Sequence, residues 1–430
     1  MTSRRRPSNR RKPKQAEREE TLTVQRIGAR GDAVLNSAAG PVFAPGLLPG
    51  ETAKLAIRGE RGRVIERVTA SDERVEPGCS VADQCGGCSL QHWRKEDYRA
   101  WKRSLVVEAL GRAGLQPEVG ELIEAWGEGR RRAHFHALRL PGRGDLVFGY
   151  AERAGAHLVD INDCPVAAPA IRRAIPLLRS LAGAIAAKPR SAIDLAVTAT
   201  DAGLDVAVSG AGAPGLAERE AAAGAVRRGG WARITIEGEP VAEVAAPAIR
   251  FGRAAATPPP GGFLQATAAG EQVLADLVLQ ACPQKPSRII DLFAGSGAFA
   301  LRLAERGPVL AVEGDEASSA ALRRAADRTP GLKPVQSLWR DLALEPLTAK
   351  ELDGAELVVI DPPRAGARAQ AEALAFSSVP TIVSISCNPA TFARDSASLI
   401  EGGYRMGPVS VIDQFAWTGH VECAAVFTRA

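Results

Sequence analysis

Residues 289–297 read Ile-Ile-Asp-Leu-Phe-Ala-Gly-Ser-Gly, and this stretch decides the fold. An apolar, strand-like run ends in a Gly-x-Gly turn, and a helical pattern follows it. Because glycine has no side chain, such a turn lets a bound ligand approach the backbone closely. Glu313 stands 20 residues after Phe293, at the end of the next apolar run. An acid at that place can accept hydrogen bonds from both hydroxyls of a ribose, so the pattern indicates a nucleoside cofactor.

The details of the turn favour one cofactor over another. A dinucleotide fingerprint, Gly-x-Gly-x-x-Gly, needs a third glycine where this chain has Ala300. The shorter turn has no pyrophosphate to hold, so it favours S-adenosylmethionine. From Phe263 onward, helical patterns alternate with short apolar runs, as in a doubly wound α/β sheet. These runs are residues 288–292, 309–312, 357–360, 381–385 and 423–427.

Composition places the whole chain among globular proteins. Its 430 residues carry 54 Lys and Arg against 49 Asp and Glu, a formal net charge of +5. This composition excludes collagen-like, coiled-coil and wholly disordered chains, and no apolar run is long enough to predict a membrane span. Residues 1–20 hold eight basic residues against three Glu, which predicts a disordered tail that solubilises the chain or attracts polyanions. No apolar segment follows this Arg-rich start, so we expect a cytoplasmic protein without a secretory signal.

Two further regions precede the α/β pattern. Residues 21–72 contain short alternating stretches separated by turn residues, which predicts a small β-barrel with a basic face. Residues 73–262 combine a helical stripe at 96–110 with alternating stretches typical of an antiparallel sheet. Within them, segment 129–139 interleaves arginines with His and Phe, a pattern that suits RNA binding or a solvated strand. The predicted fold is therefore α/β: a doubly wound, Rossmann-like domain at 263–430, an N-terminal small β-barrel and a central α+β domain.

The seven cysteines are an odd number in a large chain, which argues against a disulfide framework. Cys79, Cys85 and Cys88 fall within ten residues, on a segment that contains glycine. Cys164, in the turn-like Asn-Asp-Cys-Pro, is the natural fourth member of the group. Four cysteines suit either a tetrahedral zinc ion or an iron–sulfur cluster, and the spacing leaves both open.

Three motifs at strand ends carry the chemistry. Asp361 begins Asp-Pro-Pro-Arg, a rigid wall in which Arg364 replaces the aromatic residue usual in methyltransferases that act on amines. Cys387 follows the next apolar run, and a thiolate that adds to carbon 6 of a pyrimidine makes carbon 5 nucleophilic. Only about 3% of an unperturbed thiol is ionised at pH 7, so we expect local activation. Glu422, in His-Val-Glu, is a candidate base for the carbon-5 proton.

Together these motifs resemble the RNA uracil-5-methyltransferase family, and more specifically its 23S rRNA branch, over about residues 21–427. Ser-Cys-Asn-Pro-Ala-Thr around Cys387 is similar to the family's nucleophile motif, and His-Val-Glu at Glu422 is similar to its base motif. Phe-Leu-Gln at 263–265 resembles the family's Phe-x-Gln segment. For S-adenosylmethionine, the resemblance implies contacts from Gln265, Phe293, Glu313 and Asp361.

The same resemblance implies a TRAM domain for the barrel and a 4Fe–4S cluster, structural or helping to position RNA. The cluster ligands would be Cys79, Cys85, Cys88 and Cys164. It implies RNA as the partner, with rRNA favoured over tRNA, and predicts neither a membrane nor an obligatory protein partner. Three positions depart from the family pattern: Ala266 and Thr267 replace Val-Asn after the glutamine, and Ala298 replaces an asparagine.

The sequence thus predicts methylation of carbon 5 of a specific uridine in structured RNA, with Cys387 adding to carbon 6 and Glu422 accepting the proton. Cytosine-5 methylation uses the same thiol chemistry, but its enzymes commonly have Pro or Thr where this chain has Ser386. A non-catalytic RNA-binding factor would need neither Cys387 nor Glu422. An iron–sulfur redox enzyme would need a flavin or nicotinamide fingerprint, and the sequence contains neither. The radical methyltransferase pattern Cys-x3-Cys-x2-Cys does not match either, because five residues separate Cys79 from Cys85.

Overall fold

The computed structural model describes residues 17–142, 145–153, 155, 157–186 and 191–429. The chain divides into two compact units, one extending to residue 76 and including 92–94, the other holding 77–91 and the chain from 95 onward. The predicted tail, residues 1–20, lies outside the described residues except for its last four. Among the helices of the described residues, none is long and apolar enough to cross a membrane.

The first unit is a small barrel with five strands: β1 (Arg18–Ile27), β2 (Ala33–Ser37), β3 (Gly40–Ala44), β4 (Thr52–Arg58) and β5 (Arg61–Thr69). They close in the order β1-β2-β3-β5-β4, which confirms the predicted barrel. Residues 18–20 belong to β1 and not to a tail, because Arg18 pairs with Ile57 and Glu20 pairs with Leu55 on β4. Ladder pairing therefore orders three residues that charge alone assigned to a disordered segment.

The second unit begins with α1 (Lys95–Arg112) and β6 (Val119–Glu124). The buried side of α1 carries Tyr98, Trp101 and Leu105, the apolar stripe that the sequence predicts. β6 lies in region 73–262 of the sequence, but it pairs in parallel with the strand Val409–Asp413 near the C-terminus. Residues 95–124 therefore extend the C-terminal sheet, because β6 covers an edge strand that would otherwise be open.

A seven-stranded sheet forms the centre of the second unit. Its elements are β7 (Arg132–Arg139), β8 (Leu146–Ala151), β9 (Leu158–Asp160), α2 (Pro169–Ile185), β10 (Ala192–Thr200), β11 (Gly203–Ser209), α3 (Leu216–Gly229), β12 (Arg233–Ile236) and β13 (Glu239–Glu243). The strand order is β13-β12-β11-β10-β7-β8-β9, antiparallel except between β11 and β12. Helices α2 and α3 pack on this sheet over Phe135, Leu195 and Val206, which are fully buried. A short hairpin follows, β14 (Ile249–Phe251) and β15 (Ala254–Ala256).

The remaining chain forms the α/β layer. Its elements are α4 (Ala268–Ala281), β16 (Ile289–Leu292), α5 (Ala300–Leu303), β17 (Val309–Glu313), α6 (Glu316–Asp327), β18 (Val335–Trp339), α7 (Ala349–Leu352), β19 (Leu357–Ile360), α8 (Arg368–Ala375), β20 (Thr381–Ser386), α9 (Pro389–Glu401), β21 (Arg405–Met406), β22 (Val409–Asp413) and β23 (Glu422–Thr428). The strand order is β18-β17-β16-β19-β20-β23-β22-β6, with β21 beside β23. Strands β16 to β20 are parallel, and β23 runs antiparallel to both neighbours.

This topology confirms the predicted doubly wound sheet. The strand order reverses between β16 and β19, and in such sheets a ligand binds outside the carboxyl ends of the strands at that reversal. All residues of β16 and β19 are buried, so their side chains pack in the core. Contacts with a ligand must therefore come from the residues that follow these strands. Phe293 and Asp361 are those residues.

Candidate functional site

The turn after β16 has the backbone strain expected of a binding turn. Phe293 has a φ of +62°, a left-handed conformation that residues other than glycine rarely adopt. Glu313, at the end of β17, holds the turn from the next strand. One of its carboxylate oxygens accepts the Gly295 N–H at 2.7 Å, and the other accepts the Asp315 N–H at 2.7 Å. The acid predicted to face a ribose therefore also fixes the glycine turn.

A cavity lies directly against this turn. Of the four predicted cofactor residues, Gln265, Phe293 and Asp361 line the cavity, while Glu313 reaches the turn from β17. Ser296 also lines it, and its buried hydroxyl has no hydrogen-bond partner among the described residues. The carboxyl groups of Asp361 and Glu313 have lone pairs left to accept further hydrogen bonds, and the hydroxyl of Ser296 is unpartnered. Such groups suit the ribose and the other polar groups of a nucleoside. The residues present therefore fit S-adenosylmethionine.

Gln414, which the sequence analysis missed, links the cofactor wall to the candidate base. Its Nε2 donates to Gln265 Oε1 at 2.6 Å and to Glu422 Oε1 at 2.9 Å, so both hydrogens of the amide are used. Gln265 in turn donates to Asp361 Oδ2 at 3.0 Å. The only sequence signal for Gln414 is its position just beyond β22, and a polar residue there is too common to single out.

Thr267 explains one departure from the family pattern. It is the N-cap of α4, where its Oγ1 accepts the Gly270 N–H at 2.9 Å and donates to the carbonyl of Ala125 at 2.6 Å. Its own N–H donates to Gln414 Oε1 at 3.3 Å. The amide of Gln414 is therefore held through its oxygen as well as its nitrogen. A threonine at this position starts the helix and orients the link between Gln265 and Glu422.

The two carboxyl groups at the ends of this link are buried. Burial raises the pKa of Asp361, and the hydrogen bond from Gln265 opposes the rise. Burial also raises the pKa of Glu422, and the charge of Asp361 raises it further, while Gln414 and Lys102 lower it. The second oxygen of Glu422 is buried and has no hydrogen-bond partner in the described part of the chain. A protonated carboxyl is therefore favoured here over two neighbouring charges.

Local sequence places Cys387 at the same edge. Asn388 is the N-cap of α9, with its Oδ1 accepting the Ala390 N–H at 3.1 Å, and Pro389 occupies the first helical position. The Asn388 side chain also donates to the carbonyl of Arg364 at 2.9 Å. The Ser-Cys-Asn-Pro motif thus ends a strand, caps a helix and ties the candidate nucleophile to the Asp-Pro-Pro-Arg wall.

Strand register brings Cys387 to Glu422. Ser386 on β20 pairs with Cys423 on β23 in antiparallel register, and Cys387 and Glu422 are the residues next to that last pair. Burial, together with the Glu422 and Asp361 carboxylates and against the charge of Arg364, raises the pKa of the Cys387 thiol to about 12. The residues around Cys387 therefore do not lower its pKa as expected, because burial of the thiol and the two carboxylates outweigh the one arginine.

His420, next to the candidate base, lies in a positively charged environment. Partial burial and the charges of Arg364, Lys102 and Arg130 together lower its pKa to about 4. Its ring meets the ring of Phe415 edge-on, with 5.7 Å between centroids. A neutral imidazole at pH 7 follows, able to donate or accept one hydrogen bond but not to contribute charge.

The four cysteines of the predicted cluster come together in the structure. Cys79, Cys85, Cys88 and Cys164 line one cavity of about 240 Å³. Within the ranges that the structure describes, no three Cys, His, Asp or Glu side chains form a site for a single metal ion, and every cysteine there is free of disulfides. The four predicted ligands thus line one common cavity.

Glycine is required beside this cavity. Gly86 donates its N–H to the carbonyl of Ala151 at 2.9 Å, and a Cβ at Gly86 would lie 2.8 Å from that oxygen. Tyr150 approaches Cys164, with 3.7 Å between its hydroxyl and the sulfur. Burial raises the pKa of Cys85 and of Cys164, and that of Cys88 to about 11. Neutral thiols are therefore favoured in the absence of a cationic ligand.

The basic segment 129–139 divides between structure and site. Arg130 and Arg132 line the cysteine cavity. Arg131 instead forms a buried ion pair with Glu271 on α4, and Arg139 donates to carbonyls of the α2 region. Arg132 also donates to the carbonyls of Leu264 and Gly261, so three of the four arginines help to hold the fold together.

Comparison with known proteins gives the same assignment as the site. Residues 342–430 match the tRNA (uracil-5-)-methyltransferase family. An uncharacterised RNA methyltransferase of Rhizobium meliloti is 45% identical over 95% of this chain and 99% of its own length. The 23S rRNA (uracil(1939)-C(5))-methyltransferase RlmD of Chromohalobacter salexigens is 35% identical over 95% of this chain and 89% of its own.

The fold is shared with a solved structure as well. The tRNA (uracil-54, C5)-methyltransferase of Pyrococcus abyssi, in complex with S-adenosyl-L-homocysteine, aligns with a TM-score of 0.71 and 20% identity, over 95% of this chain and all of the other. Relatives above 30% identity that span nearly the full length assign a family, and the cofactor cavity agrees with their reaction. The chain belongs to the S-adenosylmethionine-dependent RNA uracil-5-methyltransferase family.

Proposed function

We propose that this protein methylates carbon 5 of one uridine in 23S rRNA, in the cytoplasm, through a covalent bond between Cys387 and the base. The observation that carries the proposal is the pairing of Ser386 with Cys423 across β20 and β23, because Cys387 and Glu422 are the residues next to that pair, at the edge that also holds the cofactor cavity. The rRNA substrate follows the name of the relative from Chromohalobacter salexigens, which this chain matches along most of its length.

The cofactor residues have separate tasks in this proposal. S-adenosylmethionine, when bound, supplies an electrophilic methyl group. Glu313 holds the glycine turn and accepts from the ribose hydroxyls, and Phe293 packs on the nucleoside. Gln265 and Asp361 form the wall between the cofactor and the uracil, joined by a 3.0 Å hydrogen bond.

Cys387 supplies the bond that activates the ring. Its sulfur adds to carbon 6 of uracil, and the displaced electron pair forms an enolate across carbon 5 and the carbon-4 oxygen. Carbon 5 would then take the methyl group that S-adenosylmethionine supplies, with the bond from methyl to sulfur breaking and S-adenosylhomocysteine as the leaving group. Glu422 removes the proton left on carbon 5, the bond from sulfur to carbon 6 breaks, and the double bond of the ring is restored.

The charges around Cys387 bear on both proton steps. The thiol must lose its proton, and Arg364 favours that loss while the Glu422 and Asp361 carboxylates oppose it. Protonation of either carboxyl removes one of the opposing charges. Glu422 must be ionised when carbon 5 gives up its proton, and the hydrogen bond from Gln414 favours that form. The link through Gln414 thus serves the second step.

For the four cysteines, we propose a 4Fe–4S cluster with a structural or RNA-positioning role. The cavity that they surround supports it, and Arg130 and Arg132 at its lining supply positive charge for RNA phosphates. The barrel is assigned as an RNA-binding TRAM domain. Its support is an exposed basic face, where the side chains of Arg58, Arg61 and Arg63 are each more than 60% exposed.

Methyl transfer from labelled S-adenosylmethionine tests the reaction. The purified protein is incubated with rRNA and with tRNA that lack uridine methylation, and the labelled nucleoside is identified. 5-Methyluridine in rRNA alone is the expected result. 5-Methyluridine in tRNA alone would show that tRNA is the substrate, and 5-methylcytidine would show that cytosine is the target base. No transfer to either RNA would favour a non-catalytic binding factor.

Metal analysis tests the cluster separately. Protein purified without oxygen is expected to contain about four iron and four sulfide per chain. A Cys88→Ser variant is expected to lose most of both. Zinc without sulfide would contradict the cluster assignment.

A further inference from the structure

Trp417 lies in the short connection between Gln414 and Glu422. Its φ is +60°, a backbone conformation that a side chain as large as tryptophan rarely adopts. Strained residues of this kind persist only where their surroundings over-determine them, and they cluster at functional sites. None of the predicted or proposed roles uses this residue.

The backbone and the ring of Trp417 are both held by neighbouring residues. Its N–H donates to the Tyr98 hydroxyl at 2.9 Å. Its carbonyl accepts two N–H groups, from Ser89 at 2.7 Å and from Leu90 at 3.1 Å. Its ring packs against the rings of Tyr98 and Trp126, with centroids 5.0 and 5.1 Å away. Ser89 and Leu90 directly follow Cys88, so the cysteine segment itself fixes this peptide.

The start of the connection is held by a buried ion pair on α1. Lys102 and Asp413 are both fully buried, and the Lys102 ammonium donates to the Asp413 carboxylate and to the Phe415 carbonyl, the latter at 2.9 Å. Asp413 also accepts the Tyr98 hydroxyl at 2.9 Å and the Phe415 N–H at 2.9 Å. Tyr98 therefore joins Asp413 to Trp417, on either side of Gln414 and Phe415.

We propose that Trp417 is a positioning residue that transmits the order of the cysteine segment, residues 79–91, to Gln414 and Glu422. If the segment loses its order, the two N–H donors to Trp417 leave and the strained peptide relaxes. The connection then shifts, and the hydrogen bond from Gln414 to Glu422 weakens. This inference rests on the proposed function, since it assigns the cysteine site an effect on the base and not only on RNA binding.

The test compares Trp417→Ala with Trp231→Phe, a conservative change of a tryptophan buried in the core that packs on the central sheet. Steady-state kinetics with methyl-deficient rRNA are expected to show kcat lowered up to about 10²-fold in W417A, with the KM for RNA nearly unchanged. Because proton removal is the impaired step, the covalent Cys387–RNA species is expected to accumulate. A raised KM without that species would overturn the proposal. W231F is expected to match the wild type.

Two further measurements keep the test independent of folding and of activity. If W417A is poorly folded, Trp417→Phe serves in its place, because phenylalanine retains ring packing. W417F is expected to recover most of the kcat that W417A loses. Near-UV circular dichroism, with iron present and after its removal, reports on the packed Tyr98, Trp126 and Trp417 rings without any turnover. The wild-type signal is expected to fall on iron removal. The fall should be smaller in W417F, because this variant lacks the tryptophan ring whose packing changes. Equal signals with and without iron would contradict the coupling, whereas inactive wild-type protein would contradict only the proposed function.

Discussion

Two carboxylates on the same sheet edge have contrasting surroundings. Glu313, at the cofactor turn, uses its two oxygens to accept backbone N–H groups at 2.7 Å each. Glu422, at the nucleophile, receives one amide hydrogen bond, while its other oxygen is buried without a partner among the described residues. Two backbone N–H groups hold the Glu313 carboxylate in place as an acceptor, whereas burial raises the pKa of Glu422. The difference matches the two roles proposed above, cofactor binding for Glu313 and proton transfer for Glu422.

Removing the nucleophile should have the largest effect. We expect Cys387→Ala to lower methyl transfer by roughly 10⁴-fold or more, since no other group forms the bond to carbon 6. S-adenosylmethionine binding, measured by calorimetry, should remain within about twofold of the wild type. Retention of substantial activity would show that carbon 5 is activated without this thiol.

Removing the proposed base, Glu422, should block the reaction after methyl transfer, at the removal of the proton from carbon 5. Glu422→Gln keeps the shape and the contact with Gln414 but cannot take a proton, so we expect a loss of about 10²- to 10⁴-fold in kcat. The methylated adduct should persist on denaturing gels in this variant. An ordinary rate, or a slow rate with no adduct, would transfer the role of base to another group.

The pH dependence of kcat sharpens the contrast, because the reactive forms of Cys387 and Glu422 both become more abundant as the pH rises. The raised pKa of Cys387 leaves little thiolate at pH 7, and the raised pKa of Glu422 leaves part of it protonated. Both active forms increase with pH, so kcat should rise from pH 7 to pH 9. Arg364→Gln should move this rise to higher pH, because Arg364 lowers the thiol pKa. A flat or falling wild-type profile would contradict the assignment.

The smallest effect is expected on the cofactor side. Glu313→Gln keeps one acceptor oxygen for the turn and replaces the other by an amide, so S-adenosylmethionine should bind about tenfold more weakly. At saturating cofactor, kcat should be close to that of the wild type. A fall in kcat with unchanged affinity would mean that Glu313 takes part in the chemistry.

Local motifs made much of this site predictable. The turn at 289–297, the Asp361 wall and the Cys387 cap each form within a few residues, so their elements follow from short-range patterns. Lys102 and Asp413, by contrast, are 311 residues apart and meet only because β6 joins the far edge of the sheet. Gln414 and the raised thiol pKa likewise depend on burial and on several strands, which no single segment of sequence encodes.

The central claim is a covalent bond between Cys387 and carbon 6 of a uridine, and trapping that bond tests it directly. A fluorine at carbon 5 cannot leave as a proton, so rRNA fragments containing 5-fluorouridine should stop the reaction at the methylated adduct. With S-adenosylmethionine, the wild type should form a species stable to denaturation. Mass spectrometry should place it on the peptide containing Cys387, and Cys387→Ala should form none. Catalytically active protein that forms no such species, or forms it on another residue, would contradict the account.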